Sequence, residues 1–313
     1  MIVSDSSLAA LLLTNRIVDV GVKPLSSREF WSMCRAVGDP AELVGMPTET
    51  MAVRAGVTET DAERCVELLA AGTAFAFERE RLEEEGVRLV SALDQAFPQR
   101  LRDHLGDNCP AAILVAGRVE YLNLPAIGVV GSRDASPEAL EVAADAARLA
   151  AAHGRAVVSG LARGIDQAAM MAALDAGGAV VGVPAEGLRI AARNAEVRSR
   201  VHSGELCMAS PYAPSMRFTA GNAMGRNKVV YGLAEVTLVV CSDDGSGGTW
   251  EGAREALRRE FGRVAVWLGE GAGPGNAKLI ESGGTPIGAV EELLHLDTAA
   301  VAVPAANQPS LFE

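Results

Sequence analysis

The sequence predicts an α/β protein: a Rossmann-like, doubly wound, mainly parallel sheet preceded by a small all-helical N-terminal domain. Three observations carry this. From Pro125 onward, short apolar runs alternate with amphipathic stretches of helical period, the pattern of βαβ units around a parallel sheet. Between about residues 7 and 86, apolar positions recur at helical spacing. The chain has 313 residues, comfortable as two domains at roughly 150 residues each. The expected boundaries are 1–86 for the helical module, 87–297 for the Rossmann-like domain and 298–313 for a flexible tail rich in Ala, Val and Pro.

In the helical module, Ala62, Cys65, Val66 and Leu69 repeat at helical spacing behind Thr60, with Glu63 completing a capping box. Turn signals at 38–40, 45–47 and Gly56 divide it into short helices. A packing or dimerisation role fits such a bundle better than partner binding. The first strand of the second region is 127–131. Ser136 caps the next helix, Pro137 takes its first position and Gly154 ends it after about His153. A strand at 156–159, a glycine-rich loop to Asp166, a helix, and a strand at 179–183 follow. Further strands are expected near 206–209, 236–241 and 263–268, with helices near 222–233 and 249–260.

Composition excludes several function classes. A net charge of −12 argues against coating duplex DNA through the overall field. Cys34, Cys65, Cys109, Cys207 and Cys241 are odd in number and form no CxxC pair, so neither a disulfide framework nor a zinc ribbon is indicated and a reducing cytoplasm fits. His104, His153, His202 and His295 lack ligand spacing, and no metal is expected. Basic residues are missing before the short apolar run at 8–13, and nowhere do eighteen apolar residues follow one another. Neither export nor a membrane span is therefore expected. Locally the balance reverses. Residues 187–230 carry Arg189, Arg193, Arg198, Arg200, Arg217, Arg226 and Lys228 against Glu196 and Glu205, a net +5 and the candidate electrostatic footprint.

In doubly wound sheets, ligands sit beyond the carboxyl ends of the strands. Three loops there hold small polar residues: Gly131-Ser132-Arg133, Ser159-Gly160 with Arg163-Gly164, and the run through Gly247, Gly248 and Thr249. Each follows an apolar strand and precedes a helix, so each can turn amides and hydroxyls toward a phosphate. Glycine alone would satisfy a sharp strand-to-helix turn. The guanidinium groups of Arg133 and Arg163 add bidentate phosphate recognition that a turn does not need. Neither a Walker A sequence nor GxGxxG is present, which disfavours ATP hydrolysis and ordinary NAD binding; no cofactor is expected.

The string Gly131-Ser-Arg133, Ser159-Gly-Leu-Ala-Arg-Gly-Ile-Asp166, Ala173-Leu174 and Gly177-Gly178 resembles the DprA or Smf family of DNA-processing proteins. The resemblance reaches upstream to Gly86-Val-Arg-Leu-Val, Phe97-Pro98 and 110–117, and downstream through Arg226-Asn227-Lys228 and Gly232-Leu233. It implies single-stranded DNA binding without turnover and help in loading the RecA recombinase during natural transformation, with repair and defence as open alternatives; a homodimer is expected beside it. Ser132, Arg133, Ser159, Gly160, Arg163, Gly164, Arg226, Asn227 and Lys228 would then line the strand-end pocket. For Arg189, Arg193, Arg198 and Arg200, DNA contact and a solvated helix face stand even. Met170 replaces the family's usual histidine, and the family's Phe-Pro-x-Arg-Asn-Arg becomes Phe218-Thr-Ala-Gly-Asn with Gly225-Arg-Asn-Lys228. Tyr212, Phe218 and Tyr231 are the aromatic candidates near the basic stretch, too few for binding to rest mainly on stacking.

Two further segments are informative. Gly245-Ser-Gly-Gly-Thr249-Trp-Glu251 resembles the Gly-Gly-x-Gly-Thr-x-x-Glu segment of LOG-type phosphoribohydrolases, which cleave nucleoside monophosphates. That rival would use Arg163 or Arg226 with Glu251. Glu251 follows Thr249 by two residues instead of three, which turns its side chain by about 100° on a helix and suits a carboxylate stabilised by the helix dipole. A third possibility is a nucleotide-binding sensor that signals through the helical module. Finally, Gln308-Pro-Ser-Leu311-Phe312 resembles the peptide by which bacterial replication and repair proteins dock on the DNA polymerase sliding clamp, with Gln308, Leu311 and Phe312 as anchors.

Overall fold

The computed structural model describes residues 4–14 and 16–296. Among these, nine strands form one sheet: β1 (Val87–Ser91), β2 (Ala112–Ala116), β3 (Ala126–Val130), β4 (Ala156–Ser159), β5 (Val180–Gly182), β6 (Leu206–Ser210), β7 (Val236–Val239), β8 (Arg263–Trp267) and β9 (Thr285–Ile287). Their order is β1-β2-β6-β5-β4-β3-β7-β8-β9. All pairings from β6 through β9 are parallel, while β1–β2 and β2–β6 are antiparallel. The doubly wound, mainly parallel sheet is therefore present. Its antiparallel edge is additional, because the alternation of strand and helix in the sequence is legible only after Pro125.

β3 is buried along its whole length, flanked by β4 and β7 in parallel register, Ile127 opposite Val157 on one side and Val236 on the other. Chain order runs outward from β3 in both directions. The β3/β7 boundary is thus the switch point of the sheet, where successive loops leave toward opposite faces and open a crevice.

The helices around it follow from local chemistry. Ser136 Oγ accepts from the amide of Ala139 at 3.3 Å, and Pro137 occupies the first turn of the helix Pro137–Ala152. Ala139, Ala143, Ala146, Ala147 and Ala150 are fully buried on that helix. Their small side chains let it lie close along the helix Ile165–Asp175, whose Ala169, Met170 and Ala173 join the same core. Met170 is a core residue of this layer.

The first helices are Asp5–Leu13, Ser27–Val37, Thr48–Ala55, Glu59–Ala70 and Gly72–Glu84. Phe30, Trp31, Leu43, Met51 and Leu68 form a core of their own. The capping expectation needs correcting. Thr58, not Thr60, caps Glu59–Ala70 by accepting from the amide of Asp61, and the reciprocal box is Ser26 with Glu29. The bundle is pinned to the sheet where Trp31 Nε1 donates to the Cys109 carbonyl at 2.8 Å and the Arg102 guanidinium covers the Trp31 ring at 3.7 Å.

Candidate functional site

β3 runs into Gly131, where a Cβ would come within 2.5 Å of Ile165 Cγ1; only glycine lets the next helix start this close to the strand. Ser132 is held by its amide donating to Cys241 O at 3.0 Å and its carbonyl accepting from the Ile165 amide at 3.3 Å. Arg133 projects from this pinned turn into solvent, its guanidinium 5.8 Å from the Phe218 ring centre. From β4, Gly160 donates its amide to Asp166 Oδ2 at 3.0 Å. The start of helix Gly248–Arg259, past the end of β7, has no side-chain cap, so its first amides stay open to an anion.

These loops meet over the switch point in a cavity of about 480 Å³. Gly131, Ser132, Arg133, Arg226, Asn227, Gly247, Gly248 and Thr249 line it, together with Asp166, Phe218 and Tyr231. An adjoining hollow of about 230 Å³ holds Gly160 and Arg163 and shares Arg133, Phe218 and Arg226 with the first. The structure does not bring the remaining expected residues to either wall. Ser159 is fully buried and its hydroxyl donates to Val129 O at 2.6 Å. Gly164 serves the backbone at a φ of 76°, where a Cβ would strike Ser132 O. Lys228 lines a different cavity and pairs with Glu255 at 3.3 Å.

Arg226 lies only 6% exposed between the two hollows, with Asp166 Oδ2 3.8 Å from its Nη1 and its Nε without a partner. Burial pulls the Arg226 pKa down, and the Asp166 charge counters it. Burial likewise pushes the Asp166 pKa up, offset by Arg226 and by the amides of Ala162 and Gly160. The pair is a loosely joined polar floor. The Tyr231 hydroxyl beside it is buried and also lacks a partner.

Of the seven cations of the basic stretch, Arg189, Arg200, Arg226 and Lys228 are paired with carboxylates, while exposed Arg193, Arg198 and Arg217 have no ion-pair partner among the described residues. Arg189 pairs with Glu78 at 3.0 Å and Glu85 at 2.6 Å, and Arg200 with Glu205 at 2.6 Å. Exposed Arg133 and Arg163, in the strand-end loops, likewise have no ion-pair partner among the described residues. Of the aromatic candidates, Phe218 alone is open, at 51% exposure; Tyr231 is buried, and the Tyr212 hydroxyl donates to Asn222 O at 2.6 Å. Glu251 faces a separate hollow with Arg254 and Arg258, so the carboxylate of the LOG-type arrangement stands apart from Arg163 and Arg226. Among the described residues, no helix is long and apolar enough to cross a membrane, and no three His, Cys, Asp or Glu side chains gather as metal ligands. The peptide 308–312 lies outside the described residues.

Residues 88–296 match the family model of DNA recombination-mediator protein A. The chain belongs to that family. Among its relatives is the DNA processing protein DprA of Streptococcus pneumoniae strain R6, 30% identical over 202 residues, which are 62% of this chain and 71% of that one. The solved structure of the Streptococcus pneumoniae DprA superposes with a TM-score of 0.70 at 22% identity, over 94% of this chain and 98% of the other. A Helicobacter pylori DNA processing protein A, solved to show its single-stranded DNA binding mode, gives 0.55 at 22% identity over 67% and 94%. The resemblance read from 131–178 is thereby borne out. Met170, which the sequence reading set against a family histidine, is a buried side chain of the core between helices Pro137–Ala152 and Ile165–Asp175.

Proposed function

We propose that the protein binds single-stranded DNA at the switch point without turning it over. A backbone phosphate sits at the cavity mouth between Arg133 and the open amides of helix Gly248–Arg259, and a base lies on Phe218. The observation that carries the reading is Arg133: an exposed guanidinium with no acidic partner among the described residues, fixed by the Ser132 turn and flanked by an exposed aromatic ring. Charge and π-face together are what single-strand binding requires. The reading accords with the printed description of the Helicobacter pylori relative.

The protein thereby assists recombination, DNA uptake or repair in the cytoplasm. Its proposed partners are RecA, a second copy of the chain, and the sliding clamp through Gln308, Leu311 and Phe312. Anisotropy of a labelled strand of about 30 nucleotides at two salt concentrations, with duplex as control, tests the reading. Salt-sensitive preference for the single strand is expected. Arg133→Ala weakens it roughly tenfold and flattens the salt slope by about 0.7, the share of one phosphate contact. Absence of binding at low salt overturns the reading.

A further inference from the structure

Behind helix Ala220–Leu233, on the side away from the switch point, a second cavity of about 220 Å³ opens at the seam between the first helices and the sheet. Arg16, Asn108, Tyr212 and Lys228 contribute its polar lining. Arg16 has no ion-pair partner among the described residues and stays accessible to solvent. Lys228 shares Glu255 with Arg259, at 3.3 and 3.4 Å, so two cations meet one carboxylate and a positive charge is left over.

Tyr212 lines this cavity and lies within electrostatic reach of Arg226 on the floor of the first. Gly225 leaves room for the phenol, since a Cβ there would come 2.5 Å from its hydroxyl. Burial pushes the Tyr212 pKa up to about 12, while Arg226 on one side and Arg16 on the other both pull it down. Arg226 and Lys228, two residues apart on a helix, point about 200° from one another, one toward each cavity. Exposed Arg133 thus stands at the first cavity and Arg16 with Lys228 at the second, with the buried Arg226–Asp166 pair and the Tyr212 phenol between them.

We propose that the seam cavity is a second phosphate station, at which Arg16 and Lys228 receive the backbone of the same strand a few nucleotides beyond the switch point. The inference rests on the single-stranded DNA reading and extends its footprint onto the first helices. A long strand then spans both stations, whereas a short one fills only the first.

The test compares labelled oligothymidylates of about 8 and about 30 nucleotides on the full chain, using Arg16→Ala/Lys228→Ala, Arg16→Lys and Arg133→Ala. The double variant is expected to lose about tenfold in affinity for the long strand, with a salt slope shallower by about 1.4, and to hold the short strand as the parent does. Arg16→Lys, which keeps the charge, retains the parent slope. If the double variant binds the long strand with unchanged affinity and slope while Arg133→Ala weakens it, the seam station is overturned and the switch-point reading stands. If the parent binds neither strand, both fall together.

Discussion

Gly160 shows how tightly the site is built at the residue scale. A Cβ there would lie 1.5 Å from Arg226 Nη1, so the glycine is the bed on which the buried guanidinium rests. Gly160→Ala is expected to displace Arg226 and leave the buried Asp166 carboxylate without its counter-charge, at a cost of roughly 2–4 kcal/mol in urea unfolding. An unchanged midpoint would show that the guanidinium has another place to go. Arg133 and Arg163 were legible in the sequence because a strand-end loop exposes what it carries. The buried state of Arg226 was not, since its partner Asp166 belongs to another helix and a local charge tally counts the pair as a free cation. Lys228 was misplaced for a related reason: two residues along a helix reverse the face, and motif reading does not track that.

At the scale of elements, the cap of helix Ser27–Val37 sets an acid limit. Burial alone would raise the Glu29 pKa, but hydrogen bonds from Arg64 and from the Ser26 side chain and amide outweigh it and bring it down to about 2, from an ordinary 4.5. A carboxyl depressed in the folded state contributes stability above its unfolded pKa and loses it as pH falls through its folded one. Thermal melts should therefore show the first helices weakening from about pH 4.5 down to about pH 2. Glu29→Gln should remove that contribution at neutral pH and flatten the dependence. The true cap at Thr58 lay two residues before the expected one because Thr60 is equally eligible by composition; the deciding bond, Thr58 Oγ1 accepting from the Asp61 amide, is a matter of geometry. β1 escaped the strand reading because its five residues show no clean alternation, Val90 and Ser91 both being buried, and β9 because Pro286 and an exposed Thr285 erase the apolar run.

Over the whole molecule, the five thiols behave alike. Burial pushes Cys34, Cys109 and Cys207 up to about 12, Cys65 up to about 11, and raises Cys241. Thiolate is the reacting form, and at pH 8 a group of pKa about 12 holds roughly one part in ten thousand of it. The native protein should leave Ellman's reagent nearly colourless at pH 8, and denaturation should release all five thiols. Rapid titration of one thiol in the native state would place that cysteine outside the core. The doubly wound half of the molecule was legible because every crossover repeats the same alternation. The junction between helical module and sheet was not, since Trp31, Arg102 and Cys109 meet there across some 70 residues of chain.

β6 is the joint of the sheet, parallel to β5 on one side and antiparallel to β2 on the other. β2 ends at Ala116 and β6 begins at Leu206, about 90 residues later. During synthesis at about 5–20 residues per second, the β1–β2 ribbon therefore waits roughly 5–20 s for its neighbour to emerge. Until then one rim of the ribbon offers unpaired backbone groups to any passing strand. The first strands of the sheet to be made are thus among the last to be fully paired, and the nascent chain carries an open strand edge through that interval.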